Sequence, residues 1–124
     1  MLKENERVAI YLEGHLHSEY GKMGIGAIRY LSNKIVAVID SKNAGSDISS
    51  QHDISKNIPI VKSLQQVIDL GAEVLILGIA NSGGKILDEW TTLIKEALEK
   101  GLSLVNGMHD QLADQYKDLI QHDN

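Results

Sequence analysis

The sequence predicts a three-layer α/β protein: a parallel sheet of about five strands with helices on both faces. Short segments rich in Val, Ile and Leu alternate with helical patterns along most of the chain, which is typical of parallel sheets. Phe is absent and aromatic residues make up 4% of the 124 residues, so aliphatic side chains must build the core. Such a core suits strands that are covered on both sides.

The strands are predicted from five apolar segments. Four of them have the composition of buried strands. The fifth contains Pro59, which has no N–H group to donate to a neighbour and therefore belongs at an edge of the sheet. The predicted strands are Val8–Leu12, Ile35–Ile39, Ile58–Val61 (the edge strand), Val74–Leu77 and Leu102–Val105.

Helical patterns separate most of these strands. Ser63 and Gln66 have the spacing of a capping box, and Gly71 and Gly101 are expected to end the helices that precede them. No helix is predicted between the second strand and the edge strand. Apolar stripes with helical spacing predict helices over 23–31, 64–70, 90–98 and 112–120, the last opened by Asp110.

This alternation of strands and helices predicts a Rossmann-like fold and thereby the position of a ligand site. In open α/β sheets, ligands bind beyond the carboxyl ends of the strands, near the point where the strand order reverses. The candidate site therefore consists of the loops that follow Leu12, Ile39, Leu77 and Val105.

The first of these loops contains Gly21, Gly24 and Gly26 before or within a predicted helix. Their spacing is G-x-x-G-x-G, which differs from the dinucleotide fingerprint G-x-G-x-x-G. Two interpretations remain open. The glycines either expose backbone N–H groups to an anion at a helix N-terminus, with Lys22 adding a positive charge, or allow close packing of helix on strand.

Asp40 ends the second predicted strand. In a dinucleotide site, a carboxylate at this position accepts hydrogen bonds from a ribose. Asp is also a common turn residue after a strand, and Lys42 nearby would favour a phosphate. All three interpretations remain open from the sequence.

The third loop, Gly78–Lys85, follows a strand and precedes a helix, as a P-loop does. The P-loop pattern fails in either frame, because lysine and a hydroxyl residue never occupy their positions together. The loop is either a nest of backbone N–H groups that holds a phosphate or carboxylate, or a flexible turn. Its candidate ligand-binding residues are Asn81, Ser82, Gly83, Gly84 and Lys85.

His109 follows the last predicted strand and is expected to reach the same cleft as His15 and His17. A general base is one interpretation. No carboxylate accompanies these histidines at a spacing typical of metal ligands, so no metal site is predicted. His52 and His122 lie in polar stretches and are given no role, and no complete catalytic constellation is present.

Composition limits the remaining classes. The formal net charge is −5, with a pI near 5.4 and no basic run, so no nucleic-acid partner is expected. Cysteine is absent, which excludes disulfides and thiolate chemistry. No apolar run approaches 18 residues, and the charged start is unlike a signal peptide. We therefore expect a single cytoplasmic domain over residues 1–124 that does not enter a membrane.

Several motifs, taken together, resemble a known family. They include GKMGIGAIRY, VAVIDSKNAG, LGIANSGGKILDEW and NGMHDQL. They are similar to the N-terminal Rossmann-like domain of the D-glutamate N-acetyltransferase (DgcN-like) family, formerly catalogued as a domain of unknown function. The resemblance spans about residues 6–120 and is most specific over Asp40–Gly45 and Gly78–Trp90.

The resemblance implies a domain of D-amino acid metabolism that belongs to a longer protein with a C-terminal P-loop domain. Its ligand would be a small anion: a nucleotide, coenzyme A (as acetyl-CoA) or an amino-acid carboxylate. Without the second domain, the chain is not expected to be a complete catalyst. A non-catalytic oligomerisation or docking module, forming a homo-oligomer, and the NAD-binding domain of an oxidoreductase are the alternatives.

Overall fold

The structure, a computed structural model, describes residues 5–78 and 88–106. Its strands are β1 (Val8–Tyr11), β2 (Ile35–Ile39), β3 (Ile60–Val61), β4 (Val74–Leu77) and β5 (Ser103–Asn106). They pair in parallel in the order β3-β2-β1-β4-β5. The predicted parallel sheet of five strands is therefore confirmed.

Four helices connect these strands: α1 (Lys22–Tyr30), α2 (Ile48–Gln51), α3 (Leu64–Asp69) and α4 (Asp88–Glu99). The Lys56 ammonium donates to the carbonyl of Ile28 at 2.6 Å, which ties the β2–β3 connection to α1. The Lys100 ammonium, after α4, donates to Gln65 of α3 at 2.8 Å. With right-handed crossovers, α1 and α2 cover one face of the sheet, and α3 and α4 cover the other.

The core lies on both sides of the central strands. Every residue of β1, β2 and β4 is buried, and Ile10, Val38 and Leu75 are fully enclosed. Burying one such aliphatic side chain contributes roughly 1.5–3 kcal/mol to folding. The loops at the ends of these strands are therefore anchored in the core of the protein.

The predicted helix ends are confirmed in detail. Ser63 and Gln66 form the capping box that opens α3. Gly71 and Gly101 adopt positive φ angles of 97° and 87°, and in each case the glycine and the residue after it return hydrogen bonds to the preceding helix. This is the Schellman arrangement, which requires a left-handed residue and therefore favours glycine.

The prediction that β2 and β3 are joined without a helix was wrong. Parallel strands need a crossover, and residues 40–59 provide it, with the short helix α2 capped by Asp47. The sequence ISSQ has no apolar periodicity, so α2 escaped detection. Pro59 does lie at the sheet edge as predicted, and its carbonyl accepts from the N–H of Val38 at 3.0 Å.

The other differences are small shifts of strand ends. β1 ends at Tyr11 and β5 covers Ser103–Asn106, each one residue from the prediction, whereas β3 is shortened to Ile60–Val61. The predicted helix over 112–120 and its cap Asp110 lie outside the described residues. None of the helices in the described part of the chain combines the length and hydropathy needed to span a membrane.

Candidate functional site

The strand order places a reversal at the centre of the sheet. The chain runs outward from β1 to β2 and β3, and then crosses to β4 and β5 on the other side of β1. The reversal therefore falls between β1 and β4, the position where open α/β sheets bind ligands. At this edge Gly78 follows β4 and donates its N–H to the Tyr11 carbonyl at 3.1 Å.

The loops after β1 and β2 are bound to each other by two reciprocal contacts. The N–H of Gly14 donates to the Asp40 carboxylate at 3.1 Å. In return, the N–H of Ser41 donates to the Glu13 carboxylate at 2.8 Å, and the Ser41 hydroxyl donates to the other oxygen of Glu13. Each carboxylate holds the neighbouring loop, so both loops keep a defined shape beside the reversal point.

Asp40 is directed into the protein. It is 1% exposed, and its two carboxylate oxygens accept from Gly14 N–H at 3.1 Å, Lys42 N–H at 3.3 Å and Asn43 Nδ2 at 2.6 Å. Those are the contacts of a residue that holds a turn. Of the three interpretations of Asp40, this geometry favours the turn residue over the ribose acceptor.

Two glycines of the first loop allow close packing. A Cβ on Gly21 would stand 2.0 Å from the carbonyl oxygen of His15. A Cβ on Gly24 would stand 2.7 Å from Leu12 Cδ2 and 3.1 Å from Gly78 Cα. Helix α1 therefore lies backbone to backbone against the end of β4, an approach that only glycine permits.

Three N–H groups at the start of α1 have partners within the protein. Gly21 N–H donates to Ser18 O and Gly24 N–H donates to Gly78 O, both at 3.1 Å. The N–H of Lys22 donates to Glu19 O. Three of the donors that the anion interpretation required are thus engaged, which favours the packing interpretation of Gly21 and Gly24.

Lys22 and Gly26 lie away from the contact between α1 and β4. Both line a cavity on the outer side of α1, together with His17, His52 and Arg29. The sequence predicted no function for His52 or Arg29. One signal for Arg29 was present, since Lys22 and Arg29 lie seven residues apart, which puts them on one face of a helix.

Lys42 lies in the loop that follows β2. Lys42 is exposed, and its ammonium would lie 4.0 Å from a Cβ on Gly14. It therefore overlies the loop that follows β1. Lys85 and the other candidates of the third and fourth loops lie outside the described residues: Asn81, Ser82, Gly83, Gly84 and His109.

Asp47 caps the N-terminus of α2, the helix that His52 follows. The pKa of its carboxyl lies below its ordinary value because the backbone N–H and the hydroxyl of Ser49 donate to it, at 2.9 and 2.8 Å. A carboxyl with a lowered pKa in the folded state stabilises that state at higher pH. The stabilisation is lost as the pH falls through the folded-state pKa.

We therefore expect the Ser49 amide to shift in the NMR spectrum as Asp47 is protonated, below the pH at which an ordinary aspartate titrates. Asp47→Asn should abolish this shift, because the side chain no longer changes charge. Asp69→Asn, an exposed carboxylate on α3, is the control and should leave the shift in place. A Ser49 amide that titrates in the Asp47→Asn variant as in the wild type would contradict the assignment.

The strand order, the reversal at β1 and β4, and the glycine contact between α1 and β4 together define a Rossmann-like α/β domain. A family model described as "Domain of unknown function (DUF1611_N) Rossmann-like domain" matches residues 41–122. The match covers more than half of the chain, and the chain belongs to this family.

A solved structure and two curated proteins are similar to this chain. The crystal structure of a DUF1611 family protein from Anabaena variabilis ATCC 29413 has a TM-score of 0.79 and 38% identity, and the match covers 89% of this chain and 34% of that one. A D-glutamate N-acetyltransferase from a Pseudoalteromonas species is 44% identical over 50 residues, which are 40% of this chain and 15% of that protein. One from Tritonibacter scottomollicae is 42% identical over 53 residues, 43% of this chain and 16% of that protein. The matched segments thus span about a third or less of these longer relatives.

Proposed function

We propose that this chain is the ligand-binding Rossmann-like domain of a DgcN-like protein and takes a small anionic ligand at the carboxyl ends of β1 and β4. The observation that carries the proposal is the strand order. Its reversal between β1 and β4 opens a crevice that no crossover helix fills, and the two most glycine-rich loops of the sequence start there.

The contacts around the crevice support a division of labour among the predicted residues. The N–H groups of Gly21 and Gly24 and the carboxylate of Asp40 form hydrogen bonds within the protein, and these residues shape the crevice. In this proposal two groups bind the negative charge of the ligand. One is the set of backbone N–H groups of Asn81–Lys85, in the loop that begins at Gly78, and the other is the Lys42 ammonium beside Gly14. His109, in the loop after β5, would approach from the neighbouring strand end.

Isothermal titration calorimetry with NAD, acetyl-CoA, ATP and D-glutamate tests the proposal directly. We expect saturable binding of at least one of these anions, weakened by rising salt because the contact is electrostatic. Lys42→Gln should weaken it, whereas Lys34→Gln, at the opposite edge of the sheet, should not. Absence of binding for all four compounds would refute a ligand site in the isolated chain.

The third loop has a separate prediction. Gly83→Val or Gly84→Val should abolish anion binding with a modest loss of stability, because the loop must present backbone N–H groups without a side chain between them and the ligand. Calorimetry measures the binding, and circular dichroism verifies the fold. Unchanged affinity in both variants would leave the loop as a plain turn.

The names of the curated relatives suggest the whole protein's reaction. We propose that this domain contributes one side of an N-acetyltransferase site and that a C-terminal P-loop domain completes it. The isolated chain should then release no free thiol from acetyl-CoA in the presence of D-glutamate above the background rate. A full-length relative should do so. Turnover by the isolated chain would show that the second domain is dispensable.

A further inference from the structure

A cavity of about 360 Å³ lies on the outer side of α1, away from the buried Asp40 and its turn. Its walls are the loop after β1, the exposed face of α1 and the end of α2. This volume is in the range of small-molecule sites. The side chains that matter to its chemistry are His17, Glu19, Lys22, Arg29 and His52.

Two cations on α1 give the cavity its charge. Lys22 and Arg29 are two helical turns apart, about 10 Å along the axis. Neither side chain forms an ion pair with a carboxylate among residues 5–78 and 88–106. The ion pair in this part of the chain joins Arg7 to Glu73. Among its Lys, Arg, Asp and Glu side chains, the lining carries two positive charges and the single negative charge of Glu19, in a chain whose formal charge is −5.

The guanidinium of Arg29 is held in place by the protein. Its Nη1 donates to the backbone carbonyl of Asp53 at 2.8 Å. That bond uses one of the five N–H donors of the group. The remaining donors can therefore bind an anion without first ordering a free side chain, which reduces the entropic penalty of binding.

Two histidines form an ordered wall of the same cavity. The rings of His17 and His52 stack with their centroids 4.9 Å apart and their planes at 18°. His52 Nε2 donates to Leu16 O at 2.7 Å, and His17 Nε2 pairs with Gln51 Oε1 at 2.9 Å. These bonds join the loop after β1 to the end of α2 and support this wall of the cavity.

We propose that this cavity binds a phosphate group, with Lys22 and Arg29 as its cationic ligands. A doubly charged oxyanion can engage both cations at once, and lysine and guanidinium groups are the usual partners of phosphate in proteins. A carboxylate carries one charge and would leave one cation without a partner. The site is independent of the crevice between β1 and β4 and does not rest on the function proposed there.

The test is an NMR titration of the ¹⁵N-labelled chain with inorganic phosphate at constant ionic strength. Parallel titrations use AMP, a phosphate ester, and acetate, a carboxylate. We expect saturable shifts of backbone amides in 17–29 and 51–53 with phosphate, and none with acetate. Tighter binding of AMP than of phosphate at the same amides assigns the phosphate to an organic ester, and equal or weaker binding assigns it to the free ion.

Charge-changing variants test the assignment further. Lys22→Gln and Arg29→Gln should each weaken phosphate binding about tenfold, as expected for one charge-assisted contact. Glu19→Gln should tighten it, because it removes the negative charge that opposes the anion. Lys34→Gln is the control for loss of a surface cation and should have no effect, and circular dichroism verifies that each variant is folded.

Several outcomes would overturn the proposal. One is unchanged affinity in both Lys22→Gln and Arg29→Gln, and another is equal response to acetate and phosphate. A third is a set of shifts confined to residues 12–14, 40–43 and 78. This last result would assign the anion to the crevice between β1 and β4, and would thus support the proposed function while excluding the outer cavity.

Discussion

Replacing Gly21 with alanine is expected to lower the free energy of unfolding by about 3 kcal/mol, the upper end of what overpacking a closed site costs. The new Cβ would lie 2.0 Å from the carbonyl oxygen of His15 and 3.2 Å from Leu12 Cδ2. The nearest obstacle is backbone, which cannot rotate away as a side chain does. The loop after β1 would have to move as a whole.

Two glycines inside α1, Gly24 and Gly26, provide a comparison with Gly21, which directly precedes this helix. Gly24→Ala should cost about 2 kcal/mol, since its Cβ would meet Leu12 and Gly78. At Gly26 a Cβ would meet nothing within 4 Å, and an alanine inside a helix is about 1 kcal/mol more favourable than glycine. Gly26→Ala should therefore stabilise the protein.

Urea denaturation of the three variants measures these differences. The prediction is an order: Gly26→Ala more stable than the wild type, Gly24→Ala less stable, and Gly21→Ala least stable. If all three variants lost the same free energy of unfolding, the close approach of α1 to β4 would not explain the losses.

Asp40→Ala is expected to destabilise the domain by about 2 kcal/mol, because it leaves partly buried donors without an acceptor. The N–H of Gly14, 26 residues away in sequence, loses its partner, and so does Nδ2 of Asn43. The matched control is Asp69→Ala, which removes an exposed carboxylate and should change the free energy of unfolding by less than about 0.5 kcal/mol.

The same residue distinguishes two roles in binding. A ribose acceptor would make Asp40→Asn weaken ribose-containing ligands and spare a simple carboxylate. The contacts described above predict instead that Asp40→Asn affects every ligand of the β1–β4 crevice alike, since it loosens the loop at Gly14 rather than a ligand contact. Calorimetry with ATP and D-glutamate on this variant separates the two, and selective loss of ATP binding would restore the ribose role.

The regular elements of this protein were accessible from sequence because they depend on local patterns. The apolar runs of β1, β2 and β4, the capping box at Ser63 and the terminating glycines Gly71 and Gly101 act within a few residues of themselves. The short helix α2 was missed for the same reason. Its stability comes from the cap at Asp47 and the burial of Ile48, and its sequence has no helical stripe to detect.

The contacts of the described candidate residues could not be read from any local pattern. The sequence by itself determined the strands, most of the helices and the edge of the sheet where ligands are expected. The tertiary structure decided that Asp40 holds Gly14, that Gly24 packs on Gly78, and that Lys22 shares a cavity with His52. The physical reason is the crossover topology, which brings residues 26 to 54 positions apart into contact and decides which of their polar groups are already satisfied.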